Sequence, residues 1–126
     1  MSCRLTELIL NCHDPEALAP FWCEVLGYVE LDRDGADIEI GPASGFGGAA
    51  PTIVLTHVSE RKTTPLRMHL DVNPVDRDQD AELERLLALG ARPADVGQSG
   101  DEPWHVLADP EGNEFCLLRS RVPELG

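Results

Sequence analysis

Apolar positions fall along this chain in two rhythms. Between residues 14 and 26, Leu18, Phe21, Trp22 and Val25 recur at three- and four-residue spacing, which lays them on one stripe of a helix. Asp14 can cap the free amides, Pro15 suits the first helical position, Glu16 suits the positive end of the dipole, and Gly27 can take a left-handed stop. Pro20 lies inside and predicts a bend or a later start. A second helix is predicted over 78–89, with Leu83, Leu86 and Leu87 buried and Gly90 as its stop. Its charges, Asp78, Asp80, Glu82, Glu84 and Arg85, read as a solvated face. The remaining apolar runs predict strands over 5–11, 28–33, 36–40, 52–58, 66–72, 93–96, 104–108 and 114–119. The Asp-Pro-Glu-Gly-Asn turn at 109–113 joins the last two as a hairpin, with Gly112 free to adopt positive φ.

These elements repeat. The stretch "ELILNCHDPEALAPFWCEVLGY" and the stretch "HLDVNPVDRDQDAELERLLALGA" each run from a short strand through a polar break to a helix that stops at Leu-Gly. Glu7 to Gly27 is 20 residues and His69 to Gly90 is 21, so the halves match with one insertion. The order is βαβββ twice. It predicts an α+β fold in a single domain over 1–126, with module one at about 1–60 and module two at about 64–122.

Composition narrows the function classes. Ten basic against 23 acidic residues leave a net charge of −13, which disfavours nucleic acid and anionic membrane surfaces. No apolar run approaches the roughly 18 residues of a membrane span, and the apolar run after Arg4 is too short for a signal peptide. Cys3, Cys12, Cys23 and Cys116 form no C-x-x-C or zinc-finger spacing. They read as reduced thiols in a cytoplasmic protein.

The texts "LTELILNCHDPEALAPFWCEVLGY", "RMHLDV" and "LADPEGNEFCLL" together resemble the vicinal oxygen chelate superfamily, in its glyoxalase-like and bleomycin-resistance-like members. The resemblance spans nearly the whole chain. It implies two βαβββ modules, each curling its sheet into half of a cup. It also implies a homodimer, with the cup closed within or between chains. Such cups hold a divalent metal, a small molecule, or both.

In metal-binding relatives each module offers a ligand on its first and its last strand. By that resemblance Glu7 falls on the first position and His69 on the third. The last strand usually carries Glu three residues after the Asn of the turn, where this chain has Cys116. The matching place in module one is near Val54, which offers no donor. The metal set is thereby reduced to Glu7, His69 and Cys116.

From the residues alone, Cys116 reads as a small buried hydrophobe, with a zinc thiolate or a nucleophile as rivals. His69 reads as a hydrogen-bonding pocket residue, with a metal ligand as its rival. Glu7 stands on a strand otherwise apolar at Leu5 and Ile9, so it is expected to face a polar cup or His69. A Glu7–His69 pair could then act as a general base. Arg67 and Asp71 share a face with His69 by period two, as pocket lining or as an ordinary ion pair. Strand alternation sets Trp104 against His105, with Trp104 the expected stacking surface of the cup. The "GPASGFGG" loop at 41–48 reads as a lid or a linker, and His13 and His57 as surface residues at strand ends.

The expectation is a protein that binds, and in one version modifies, a small organic molecule in a cup without the usual metal set. One rival is a metal-dependent lyase or dioxygenase using Glu7 and His69. Another is a structural or regulatory dimer whose cup is filled by side chains. Aromatic content of 5% argues against a large drug site with several aromatic walls.

Overall fold

A computed structural model describes residues 2–125. Met1 and Gly126, the ends of the expected 1–126 span, lie outside the described residues. The chain divides into two compact units, Met1–Arg61 and Lys62–Gly126. No helix among the described residues is long and apolar enough to cross a membrane.

The first unit runs β1 (Glu7–Cys12), α1 (Pro15–Leu26), β2 (Val29–Asp34), β3 (Asp37–Gly41) and β4 (Thr52–His57). Its sheet has the order β1-β4-β3-β2, with β1 parallel to β4 and the other pairs antiparallel. Asp14 caps α1 by accepting from the Ala17 amide at 3.3 Å, and Gly27 ends it at φ 67°. Pro20 neither breaks the helix nor delays its start. It sits on the exposed side, where water can satisfy the carbonyl that its missing N–H leaves free. Leu18, Ala19, Phe21 and Trp22 are buried, and α1 packs on β2, β3 and β4. Phe21 and Trp22 meet edge to face at 5.3 Å. The sheet answers with Ile38, Ile40, Ile53 and Leu55, all buried. Each such side chain contributes about 1.5–3 kcal/mol by leaving water.

Strand alternation then fixes the sheet's other face. It carries Glu7, Ile9 and Asn11 from β1, Thr52, Val54 and Thr56 from β4, and Glu39 and Gly41 from β3. The register of β2 shifts between Glu30 and Asp32, so Leu31 is the extra residue of a bulge. A Cβ added at Gly41 would stand 2.7 Å from both Leu31 Cδ1 and Thr52 Cγ2. Gly41 is therefore needed for close approach, since Leu31 lies over it.

The second unit repeats the plan with β5 (Leu70–Val72), α2 (Gln79–Leu89), β6 (Arg92–Pro93), β7 (His105–Ala108) and β8 (Glu114–Leu117). Its order, β5-β8-β7-β6, is the same topology, with β5 parallel to β8. The two βαβββ modules are thus present as expected. The hairpin turn is held by Asp109, fully buried, which accepts from the amides of Glu111 and Asn113 and from Asn113 Nδ2 at 2.9–3.0 Å. Gly112 stands at φ 86°.

Several expectations need correction here. The fifth strand begins at Leu70, not at 66, because the Leu66 amide donates to the Glu114 carboxylate instead of to a strand. The sixth is only Arg92–Pro93 rather than 93–96. There the Gln98 side chain takes the Val96 amide and the Ala94 carbonyl, and Asp95 takes the Gly97 amide. On α2, Glu82 is not solvated: it is buried, with Arg85 Nε at 2.6 Å. Leu86 is buried as expected, but Leu87 is exposed.

Candidate functional site

The residues singled out in the sequence divide between the units. Glu7 lies in the first; Arg67, His69, Asp71, Trp104 and Cys116 lie in the second. Glu7 is exposed on β1. The face it shares with Ile9 is open, and Ile9 itself is 59% exposed. His69 and Arg67 precede β5 in irregular chain, so the period-two argument does not apply to them. Both are exposed. Trp104 also lies just before its strand, at 41% exposure, while His105 begins β7 and is half-buried. His57 is exposed and His13 half-buried, with their rings 6.3 Å apart. His57 Nδ1 stands 2.9 Å from the His13 carbonyl.

The structure does bring Asp71 and Cys116 together. They are register partners on β5 and β8, with Val106 of β7 on the far side of Cys116. Cys116 is 9% exposed. Burial pushes its thiol up from 9.0, and the charge of Asp71 and a side-chain hydrogen bond to it push the same way. The thiol is thus disfavoured from ionising. It is a poor nucleophile, since attack needs the thiolate.

Two residues earlier on the same face of β8 stands Glu114, which sequence reasoning missed. It is buried, paired with Lys62 Nζ at 2.8 Å and bonded by the Leu66 amide at 3.2 Å. Burial opposes its charge, but the Lys62 hydrogen bond and the backbone donors outweigh that, and the carboxyl sits below its ordinary 4.5. The available signal was Glu114 alternating with Cys116 on a strand that is otherwise apolar. Its partner, across an irregular segment, had none.

The first unit has no such compensation on its open face. Val54 occupies the place that Cys116 has in the second unit, opposite Ile9, and Thr52 occupies the place of Glu114. Thr52 is fully buried, and its Oγ1 has no hydrogen-bond partner among the described residues. On the helix side, a cleft of about 180 Å³ is lined by Ala19, Cys23, Ile38 and Arg33. Its guanidinium is already held by Glu16 at 2.7 Å and Glu30 at 2.8 Å. The loop after β3 is tied down within its unit, by Arg4 to the Gly47 carbonyl and by the Tyr28 hydroxyl to the Pro51 carbonyl.

A family model for the glyoxalase-like domain matches residues 7–118. The chain belongs to the glyoxalase-like family. No curated protein matches the sequence. Among solved structures, this glyoxalase-like chain is similar to a glyoxalase/bleomycin resistance protein/dioxygenase family enzyme from Burkholderia phytofirmans PsJN. That likeness has TM-score 0.67 and 18% identity, over 91% of this chain and 97% of the other. It is also similar to the fosfomycin resistance protein FosX from Mesorhizobium loti (TM-score 0.68, 15% identity, 93% and 92% covered). A third likeness is to FosX from Listeria monocytogenes in complex with Mn(II) and sulfate (TM-score 0.70, 16% identity, 95% and 92% covered). At these identities the likeness establishes the fold and nothing further.

The donors of this glyoxalase-like chain do not fit the four-ligand metal set of its relatives. Val54 has no donor atom, and Cys116 stands where the resemblance implies a carboxylate. Among the described residues no group of three or more His, Cys, Asp or Glu side chains is placed to hold a metal ion.

Proposed function

We propose that this glyoxalase-like protein binds a small organic molecule against the open faces of its sheets, without the usual metal set. The observation that supports this reading is the place of Cys116, buried and paired in register with Asp71, at the position where the resemblance implies a metal-binding carboxylate. Glu7 and His69 supply polar contacts, each from its own unit, and either can accept a proton from a bound ligand. Trp104 offers a stacking surface, and Arg67 and Asp71 offer charged contacts. The protein works as a cytoplasmic homodimer with no nucleic-acid or membrane partner.

A second reading is a metal-dependent lyase or dioxygenase using Glu7 and His69. The likeness to a FosX complexed with Mn(II) favours it. The two separate on the metal content of protein purified without tag or chelator, beside Glu7→Ala and His69→Ala. The expected result is no stoichiometric metal, and a ligand from a small-molecule screen that both variants bind more weakly. Near-stoichiometric zinc, nickel, manganese or iron, lost in both variants, would replace the first reading with the second.

A further inference from the structure

We infer that one end of the first sheet holds an exchangeable site for a borderline divalent metal ion, Zn2+, Ni2+ or Cu2+, with His13 and His57 as its two protein ligands. The site lies within the first unit and is independent of the small-molecule reading above. The parallel pairing of β1 with β4 sets Cys12 beside His57, so the chain leaving β1 delivers His13 next to His57. The Val58 amide donates to the Cys12 carbonyl at 2.8 Å, and the His57 amide donates to Asp37 Oδ1 at 2.9 Å. Both histidines therefore leave hydrogen-bonded backbone at fixed points. Their ring centres stand 6.3 Å apart, with the planes inclined by 48°. Two imidazoles on one ion place their ring centres roughly 4.5–6.4 Å apart, given metal–nitrogen bonds of about 2.0–2.1 Å. The observed spacing falls near the wide end of that range. A small turn of the rings brings the angle at the ion toward tetrahedral.

The hydrogen bond of His57 points to a metal independently of the spacing. A carbonyl oxygen only accepts, and His57 Nδ1 stands 2.9 Å from the His13 carbonyl. In the neutral ring the proton thus sits on Nδ1, and Nε2 carries the lone pair. A bond of this kind to a main-chain carbonyl is the one that metal-bound histidines make through their second nitrogen, where it fixes the tautomer and the ring. His57 is exposed, so an ion reaches it from solvent. Nδ1 of His13 is buried, which leaves the Nε2 edge of this half-buried ring toward the surface. Asp37, its register partner Asp34, and the α1 cap Asp14 bring negative charge to the same end of the sheet. Imidazole suits zinc, nickel and copper ions, whereas Mg2+ and Ca2+ take oxygen donors. Two imidazoles fall short of the three protein ligands of a catalytic zinc site, so water fills the other positions and the ion exchanges. Such a site gives up its metal during purification, which agrees with the metal content expected above.

The test is a titration of the full chain with ZnCl2, followed by amide resonances, with MgCl2 as the control and His13→Gln and His57→Gln beside wild type. Zn2+ should shift the amides of His13, Asp14, His57 and Val58. Each variant should lose at least about tenfold in affinity, the floor set by loss of an outer-shell partner. His13→Gln keeps the carbonyl that His57 bonds, so it reads the ligand even where His57→Gln loosens the strand end. His69→Ala should leave these shifts as they are, which separates this site from the metal-dependent reading above. Unchanged Zn2+ affinity in His13→Gln, equal shifts with Mg2+, or Zn2+ shifts confined to other residues would overturn the inference. So would loss of the His13 and His57 shifts in His69→Ala.

Discussion

The two units share one topology and treat the same sheet positions in opposite ways. Where the first has Ile9 opposite Val54, the second has Asp71 opposite Cys116. Where the first has Thr52 with an idle hydroxyl, the second has Glu114 neutralised by Lys62. The second unit thus answers its buried polar groups from within its own chain. The first leaves carboxylates exposed and a buried hydroxyl without a hydrogen-bond partner among the described residues. Equivalent backbone therefore does not mean equivalent chemistry, and the half with unmet polar groups is the better place to seek a ligand.

The contrast can be broken most sharply at Lys62. Lys62→Met leaves the Glu114 carboxylate buried without its cation, and should cost about 3 kcal/mol in urea unfolding. Arg33→Met, which opens exposed ion pairs in the first unit, should leave the midpoint where it was; equal losses in both variants would erase the distinction. Gly41→Ala comes next. Its Cβ would press on Leu31 and Thr52, at a cost of about 1–3 kcal/mol that Leu31→Ala should partly relieve in the double variant.

A pH titration sharpens the comparison further. The Glu114 carboxyl is held below its ordinary 4.5, so its contribution is complete above that value and is lost as pH falls through the depressed one. Glu114→Gln should accordingly show a shallower fall in stability below about pH 4.5 than wild type; an identical acid limb would count against the ion pair. The smallest effect is on thiol reactivity. Cys116 should react with a disulfide reagent far more slowly than exposed Cys3, and Asp71→Asn should quicken it by removing a charge that disfavours the thiolate.

The repeat, both helices and the family were legible because they rest on local signals: an Asp cap, a Leu-Gly stop, a five-residue turn. The helix stripe of Leu18, Phe21, Trp22 and Val25 followed from spacing alone; the first three are buried and Val25 is half-buried. What the sequence concealed came from contacts between distant positions. Lys62 and Glu114 are 52 residues apart, and no local signal marks their pairing. Alternation around His69 and Arg67 misled because it presumes a strand that the Leu66–Glu114 bond prevents. Glu7 was singled out because its neighbours Leu5 and Ile9 are apolar. Those neighbours are themselves 70% and 59% exposed.

The parallel pairing of first strand with last has a consequence for how the chain comes into being. During synthesis β1 has only water to bond until β4 has been made, because residues 7–12 pair with 52–57 and with no strand between. The same delay recurs for β5 and β8. Each sheet is therefore completed only when its last strand has been made. A nascent chain halted inside either one exposes an unpaired strand edge, the feature on which chains stick to one another.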